Sequence, residues 1–195
     1  IGIEGFSVTI PHKIEVMRYL DQVTPEAEAV GAVNTVSRDG AEWRGDNTDV
    51  HGIRSALKGF KPEGKTIIVI GTGGAARAAV AALDKAASVT VLSRTRDTGT
   101  LEWSREVRVD RLENCSDYQV DLLVNATPVG MTPDIESTPV SGPIQAKVVF
   151  DTVYNPPRTR LLREAAAQGK QVVAGTSMFV AQAARQFEIW TGQPA

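Results

Sequence analysis

The sequence predicts an α/β protein whose larger part is a parallel sheet assembled from βαβ units. Three observations predict it. From about residue 65 onward, short apolar β-branched runs alternate with Ala-rich or Leu-rich stretches of helical length. The runs hold three to five consecutive apolar residues, as strands covered on both faces do. The first of them feeds a glycine-rich turn, Gly71-Thr72-Gly73-Gly74, that opens the next helical stretch. Composition agrees: 195 residues, 42% hydrophobic and 23% charged, describe a globular chain and exclude a disordered or coiled-coil one.

In order along the chain, residues 6–10 read as a short strand broken by Pro11, and 14–20 as a helix. Gly-punctuated residues 32–49 suggest a hairpin or loops. This stretch has the character of a separate small domain, and residues 58–65, with two glycines and Pro62, form the natural hinge after it. Strands follow at 66–70, 89–93, 122–125, 148–151 and 171–174, and an Ala-rich helix at 74–85 suits close packing on a sheet. Residues 159–168 carry Leu and Ala at helical spacing and stop at Gly169. The last helix, 177–191, sets Phe179, Ala183, Phe187 and Trp190 on one face. The expected division is 1–52 as the remnant of one domain, 53–174 as the sheet domain, and 175–195 as a helix packing back on the first part.

A balance of 21 basic against 23 acidic residues, with no long Lys/Arg block, leaves no footprint for nucleic acid or an anionic membrane. No run approaches the roughly 20 apolar residues of a membrane span, and no signal peptide opens the chain, so a cytoplasmic location is expected. Cys115 is the single cysteine and His12 and His51 the only histidines, so no metal site is expected. The chain opens Ile-Gly-Ile-Glu-Gly-Phe without an initiator Met, and the expectation is a piece of a longer protein whose site is incomplete.

Gly71, Gly73 and Ala76 have the G-x-G-x-x-[G/A] spacing, directly after a strand and at the start of a helix. The first glycine permits the tight turn, the second lets backbone approach a pyrophosphate, and the small third residue lets helix pack on strand. The bland alternative is a tight βα turn. With strand, turn, helix and second strand in place, a Rossmann-type dinucleotide-binding domain is the reading. An NAD site usually places an acid at the tip of the second strand. Here that strand ends Ser93-Arg94-Thr95-Arg96, whose guanidinium and hydroxyl groups suit a 2′-phosphate, which favours NADP.

Before the hinge, Ser7–Lys13, Ala32–Thr35 and Gly45–Asp49 are dense in hydrogen-bonding side chains. Turns alone would explain Asp46 and Asn47, and a lone Lys is commonly solvated surface. Lys13 is nonetheless a candidate proton donor or acceptor if a carboxylate such as Asp49 lies beside it.

Taken together, the motifs resemble the shikimate dehydrogenase family of aromatic amino-acid biosynthesis. They run in order through Val8-Thr9-Ile10-Pro11-His12-Lys13, Gly31-Ala32-Val33-Asn34-Thr35, Gly45-Asp46-Asn47-Thr48-Asp49, the glycine turn, Ser93-Arg94-Thr95, Asn125–Met131, Asp151–Pro156 and the terminal Gly175–Gly192 with Gln182. The resemblance implies a Rossmann-type NADP-binding domain plus a truncated α/β catalytic domain, and hydride exchange between NADPH and the 3-dehydroshikimate/shikimate pair. It implies Lys13 and Asp49 as catalytic pair, and Thr9, Asn34, Tyr154 and Gln182, with Asp49, around the substrate. For the cofactor it implies Gly71, Gly73, Gly74 and Ala75 at the pyrophosphate, and Ser93, Arg94 and Thr95 at the adenosine end. Ala126, Thr127, Val153, Gly175 and Met178 fall on the nicotinamide side.

Departures from the family pattern are Ser7 and Ser93, where Asn is usual, Thr98, and the Ser-x-Ser carboxylate pair that the family carries upstream of Gly5. The resemblance leaves room for a homodimer or for fusion to a dehydroquinase in a parent protein. Three rival readings remain at this stage: a quinate/shikimate dehydrogenase of broader cofactor use, a non-catalytic ligand-sensing module on the same fold, and a dinucleotide-binding scaffold left catalytically idle by the missing N-terminal segment.

Overall fold

The computed structural model describes residues 2–95 and 103–195. Its larger sheet contains β5 (Thr66–Ile70), β6 (Ser88–Ser93), β7 (Arg108–Arg111), β8 (Val120–Asn125), β9 (Ala146–Asp151) and β10 (Gln171–Ala174). They are ordered β10-β9-β8-β5-β6-β7, and every pairing is parallel. The helices α3 (Gly74–Ala82) and α4 (Arg160–Ala167) connect β5 to β6 and β9 to β10.

Side chains of period two sort onto the two faces of this sheet. Ile67 and Val69 of β5, Leu122 and Val124 of β8 and Phe150 of β9 join one core with Ala76, Ala79 and Val80 of α3. Ile68 and Ile70, Leu123 and Val149 join another with Leu161, Leu162 and Ala165 of α4. Burying a side chain such as Phe150 or Leu161 contributes about 1.5–3 kcal/mol, and both faces gain it. β10 closes one edge with Gln171 and Val172 exposed, so not every predicted strand is covered on both faces. The chain runs outward from β5 first through β6 and then, reversing, through β8. That reversal makes the carboxyl ends of β5 and β8 a topological switch point, where open α/β sheets leave a ligand crevice.

A smaller sheet stands beside it, with β1 (Gly5–Ser7), β2 (Gln22–Val23), β3 (Thr35–Asp39) and β4 (Glu42–Asp46) in the order β1-β3-β4-β2. β3 and β4 form the expected hairpin, turning at Gly40 with φ 62°. The strand expected over 6–10 stops at Ser7, because Val8 donates to the Asn34 carbonyl and the chain then turns away. The helix expected over 14–20 is a single 3-10 stretch, Glu15–Tyr19, with no buried residue to anchor a longer one.

Two helices here have no counterpart in the sequence-based expectation. α1 (Pro25–Val30) has Thr24 accepting from the Ala27 N–H, Pro25 at its first position and Gly31 in a left-handed cap. α2 (Thr48–Ala56) begins where the Asn47 side chain accepts from the Asp49 N–H. The boundary expected between residues 52 and 53 therefore falls inside α2.

The last helix, α5 (Gly175–Thr191), starts two residues before the expected position. Its buried face also differs. Phe179 and Phe187 are exposed, while Met178 and Gln186 are buried. The helix presses on α2 and β3 by close approach and hydrogen bonds rather than by an aromatic stripe. At Gly52 an added Cβ would lie 2.7 Å from the Met178 carbonyl oxygen, and Trp190 Nε1 donates to the Val36 carbonyl at 2.9 Å. No helix of the described residues is long and apolar enough to cross a membrane.

Candidate active site

A cleft of about 880 Å³ opens at the switch point. Its floor is the turn from β5 to α3. Gly71 has φ +115°, a left-handed conformation that glycine adopts without strain, and its N–H donates to the Leu92 carbonyl at 2.9 Å. An added Cβ there would sit 3.0 Å from the Ala126 carbonyl oxygen, whereas one at Gly73 would meet nothing within 4 Å. Gly73 is the N-cap of α3 and brings no capping side chain, so the first N–H groups of that helix have no side-chain acceptor from it. This arrangement suits a pyrophosphate.

The cleft gathers Gly71, Gly73, Gly74 and Ala75 with Ser93, Arg94 and Thr95 at the tip of β6, and with Ala126 and Thr127 after β8. Ser93 is buried, its Oγ accepting from the Thr95 N–H at 3.2 Å, while Arg94 and Thr95 are exposed. Arg96 and Thr98, both noted in the sequence, lie outside the described residues. Val153, Gly175 and Met178 do not line this cleft. Val153 and Met178 are buried, and Gly175 sits so close to the carbonyls of Thr152 and Val153 that no side chain would fit.

Lys13 reaches the same cleft from the small sheet, passing over Gly74, where an added Cβ would meet the Lys13 side chain at 3.1 Å. The Lys13 carbonyl accepts from the Val33 N–H at 2.7 Å, which fixes its backbone beside the segment that carries Asn34. Its Nζ donates to Asp49 Oδ2 at 2.5 Å, with side-chain exposures of 15% for Lys13 and 5% for Asp49. The second carboxylate oxygen, Oδ1, accepts from Asn34 Nδ2 at 2.8 Å.

Asn34 is the hub of this constellation. Its Oδ1 accepts from the Thr48 N–H at 2.8 Å and from the Thr35 hydroxyl at 2.7 Å. Its Nδ2 faces Thr48 Oγ1 at 3.0 Å and Gln182 Oε1 at 3.4 Å. A buried asparagine with its polar atoms occupied holds its neighbours in one arrangement. Tyr154 is half exposed and stacks on Phe179 with ring centroids 4.2 Å apart. Thr9 is exposed, and its carbonyl accepts from the His12 N–H in the turn leading to Lys13.

Three supporting residues carry no role of their own in the sequence-based reading. Gln186, buried in α5, accepts from the Ser7 hydroxyl at 2.8 Å and donates to the Asn34 carbonyl at 3.1 Å and to Thr35 Oγ1 at 3.0 Å. Thr48 takes part in the Asn34 hub. Asp151, at the carboxyl end of β9, is fully buried, and burial raises its carboxyl from the usual range to about 6 against the hydrogen bonds that lower it. A polar residue on the inward face of an otherwise apolar element is the one sequence signal for Gln186 and Asp151. Burial likewise lifts the Cys115 thiol to about 11, which makes it an inert core residue. Among the described residues no cluster of three His, Cys, Asp or Glu could hold a metal ion.

Comparison with known proteins gives the family. A family model described as the shikimate dehydrogenase substrate binding domain matches residues 1–36, and one described as the shikimate 5′-dehydrogenase C-terminal domain matches 175–195. The shikimate dehydrogenase (NADP(+)) of Caldanaerobacter subterraneus is 41% identical over 99% of this chain and 74% of its own. The Thermus thermophilus shikimate 5-dehydrogenase, solved with NADP(H) and shikimate, superposes with a TM-score of 0.87 at 38% identity, over 99% of this chain and 75% of that one. A chorismate mutase/shikimate 5-dehydrogenase fusion protein from Clostridium acetobutylicum gives a TM-score of 0.90 at 34% identity, over 98% and 72% of the two chains.

Proposed function

The chain belongs to the shikimate dehydrogenase family, and on that premise we propose that it is a cytoplasmic NADP-dependent oxidoreductase interconverting 3-dehydroshikimate and shikimate. The observation that carries this reading is the contact between Asp49 and Lys13, a residue that lines the cleft floored by the glycine turn.

Hydride exchange is the chemistry that NADP supplies when bound. The fit of the chain to that cofactor rests on the open space at Gly73, the left-handed Gly71 and the cap-free start of α3. Gly71, Gly73, Gly74 and Ala75 would hold the pyrophosphate. Ser93, Arg94 and Thr95 would take the adenosine end, where Arg94 can pair with a 2′-phosphate. Ala126 and Thr127 would border the nicotinamide, and by the family resemblance Val153, Gly175 and Met178 belong to that side.

The remaining work belongs to the chain. Lys13 gives or takes the proton at the reacting oxygen, and Asp49 aims its ammonium group. Asn34, itself held by Thr35 and Thr48, fixes the Asp49 carboxylate, so the pair is set before substrate arrives. Asp49, Asn34, Gln182, Thr9 and Tyr154 supply partners for a polyol, and such groups discriminate against analogues that leave them unpaired. We assign the small sheet with its helices to the substrate and the parallel sheet to the cofactor, α5 returning to join them. The homodimer and the gene fusion remain proposals; in the Clostridium relative the fused partner is a chorismate mutase rather than a dehydroquinase.

The test is oxidation of shikimate with NADP, followed by near-ultraviolet absorbance, with quinate and NAD as controls. Turnover that prefers NADP and shikimate is expected. Equal use of quinate and NAD would favour the broader dehydrogenase, and cofactor binding with no turnover of either substrate, in a protein that also carries the upstream Ser-x-Ser pair, would contradict the enzymatic reading.

A further inference from the structure

The loops that border one end of the cleft converge on a single buried carboxylate. Asp151 accepts from the Thr159 hydroxyl at 2.6 Å, from Asn125 Nδ2 at 2.9 Å and from the Val153 N–H at 3.0 Å. Asn125 passes the constraint on: its Oδ1 accepts from the Thr127 hydroxyl at 2.7 Å and from the Thr127 N–H at 3.1 Å. Thr127 Oγ1 in turn accepts from the Val129 N–H at 3.2 Å. Asp151 itself does not touch the cleft, while Thr127 and Val129 line it.

We propose that Asp151 is the positioning residue for the nicotinamide end of the cleft, acting through Asn125 and Thr127 on the loop at 126–130. This rests on reading the cleft as an NADP site. All three partners of the carboxylate are donors, so the ionised form satisfies them together. A protonated Asp151 keeps Thr159 only by turning that hydroxyl from donor to acceptor, and the bonds from Asn125 and the Val153 N–H lose their charge assistance, which slackens the chain of contacts.

Among the described residues no cation offsets the buried charge. The three hydrogen-bond partners are neutral, and burial raises the carboxyl to about 6. The charged and titratable groups on the elements around it are engaged or exposed. Asp121 of β8 and Lys147 of β9 pair with each other at 2.8 Å at the opposite end of the sheet. On α4, Arg160 is held by Glu164 and Arg163 by Glu136, while Arg158 and Tyr154 in the preceding loop are exposed. β5 and β10 bring no charged side chain.

The test compares two ligands by titration calorimetry: NADP, which spans the cleft, and 2′-phospho-ADP-ribose, which has the same phosphates and lacks only the nicotinamide. Asp151→Asn is expected to weaken NADP about tenfold while leaving the nicotinamide-free ligand unchanged. In the wild type, the ratio of the two affinities is expected to fall as pH drops from about 7.5 to about 5, and in Asp151→Asn to stay flat. Titration of the 2′-phosphate affects both ligands and cancels in the ratio. Thr159→Val, which removes the shortest of the three bonds, should reproduce a smaller selective loss.

Equal losses for both ligands, or none, together with a pH-independent ratio in the wild type, would overturn the proposal. If Asp151→Asn does not fold, the wild-type ratio and Thr159→Val decide it. A wild type that binds neither ligand would instead contradict the NADP reading itself.

Discussion

The glycine turn after β5 and the polar constellation around Asn34 meet at Lys13, yet they are built on opposite plans. The turn is local: strand, Gly71, Gly73 and the start of α3 follow one another in the chain, and its function falls to backbone groups. The constellation is assembled from separate segments by side chains, with Lys13 and Asp49 36 residues apart and Asn34 and Gln182 148 apart. A local site survives wherever its one βα unit folds. A dispersed one demands that the small sheet, α2 and α5 all be in register. Damage to the first should therefore appear in cofactor affinity alone, and damage to the second in turnover and in stability.

The largest expected effect lies in the constellation. Asp49→Ala leaves the Lys13 ammonium group without its partner, and turnover should drop by about 10²–10⁴, the usual contribution of a positioned proton donor. NADP affinity, measured separately, should hold. A parallel loss of both would break the division between the two regions.

Next in size is a pH effect on the cofactor side. Asp151 titrates near 6 when folded and near 3.8 in an open chain. Between those values the folded state binds the extra proton, so this group makes stability fall as pH rises from about 4 to about 6 and leaves it level above. The shift corresponds to about 3 kcal/mol. Other carboxylates act in the opposite sense, as Asp121 does with its pKa held down to about 2 by Lys147 and Thr66. The difference between wild-type and Asp151→Asn unfolding curves across this window isolates the term.

Asn34→Ala should cost about 1–3 kcal/mol, because the Thr48 N–H and one oxygen of Asp49 lose their buried partner. Thermal unfolding would report it together with a raised KM for shikimate. The smallest effect is expected at Arg94→Ala: about tenfold weaker NADP with NAD unchanged, since the loss is confined to a 2′-phosphate contact at an exposed position. Equal weakening of both cofactors would assign Arg94 a role other than that contact.

The same contrast governs how far the sequence could be read. Strands 66–70 and 171–174 match to the residue, and the glycine turn stands where its spacing predicts, because apolar runs and turn glycines act through neighbours in the chain. α1 carried its own signals, Thr24, Pro25 and Gly31, but six residues made too short a pattern to stand out. α2 was hidden because Asn47, Thr48 and Asp49 serve the cap and the site together, and a polar helix start reads as a turn. β7, Arg-Val-Asp-Arg, has none of its residues fully buried and so no apolar run to mark it. The face of α5 was misjudged for a tertiary reason: Gln186 and Trp190 dock by hydrogen bonds to Asn34, Thr35 and Val36, while the aromatic rings of Phe179 and Phe187 stay outside. The candidate catalytic residues were legible through family resemblance, whereas the hub that holds them follows only from packing between distant segments.

The most direct test of the account measures shikimate turnover and NADP binding side by side in the wild type and in Lys13→Ala. The account predicts equal NADP affinity in the two proteins, with turnover in the wild type alone. Undiminished turnover in Lys13→Ala would contradict it.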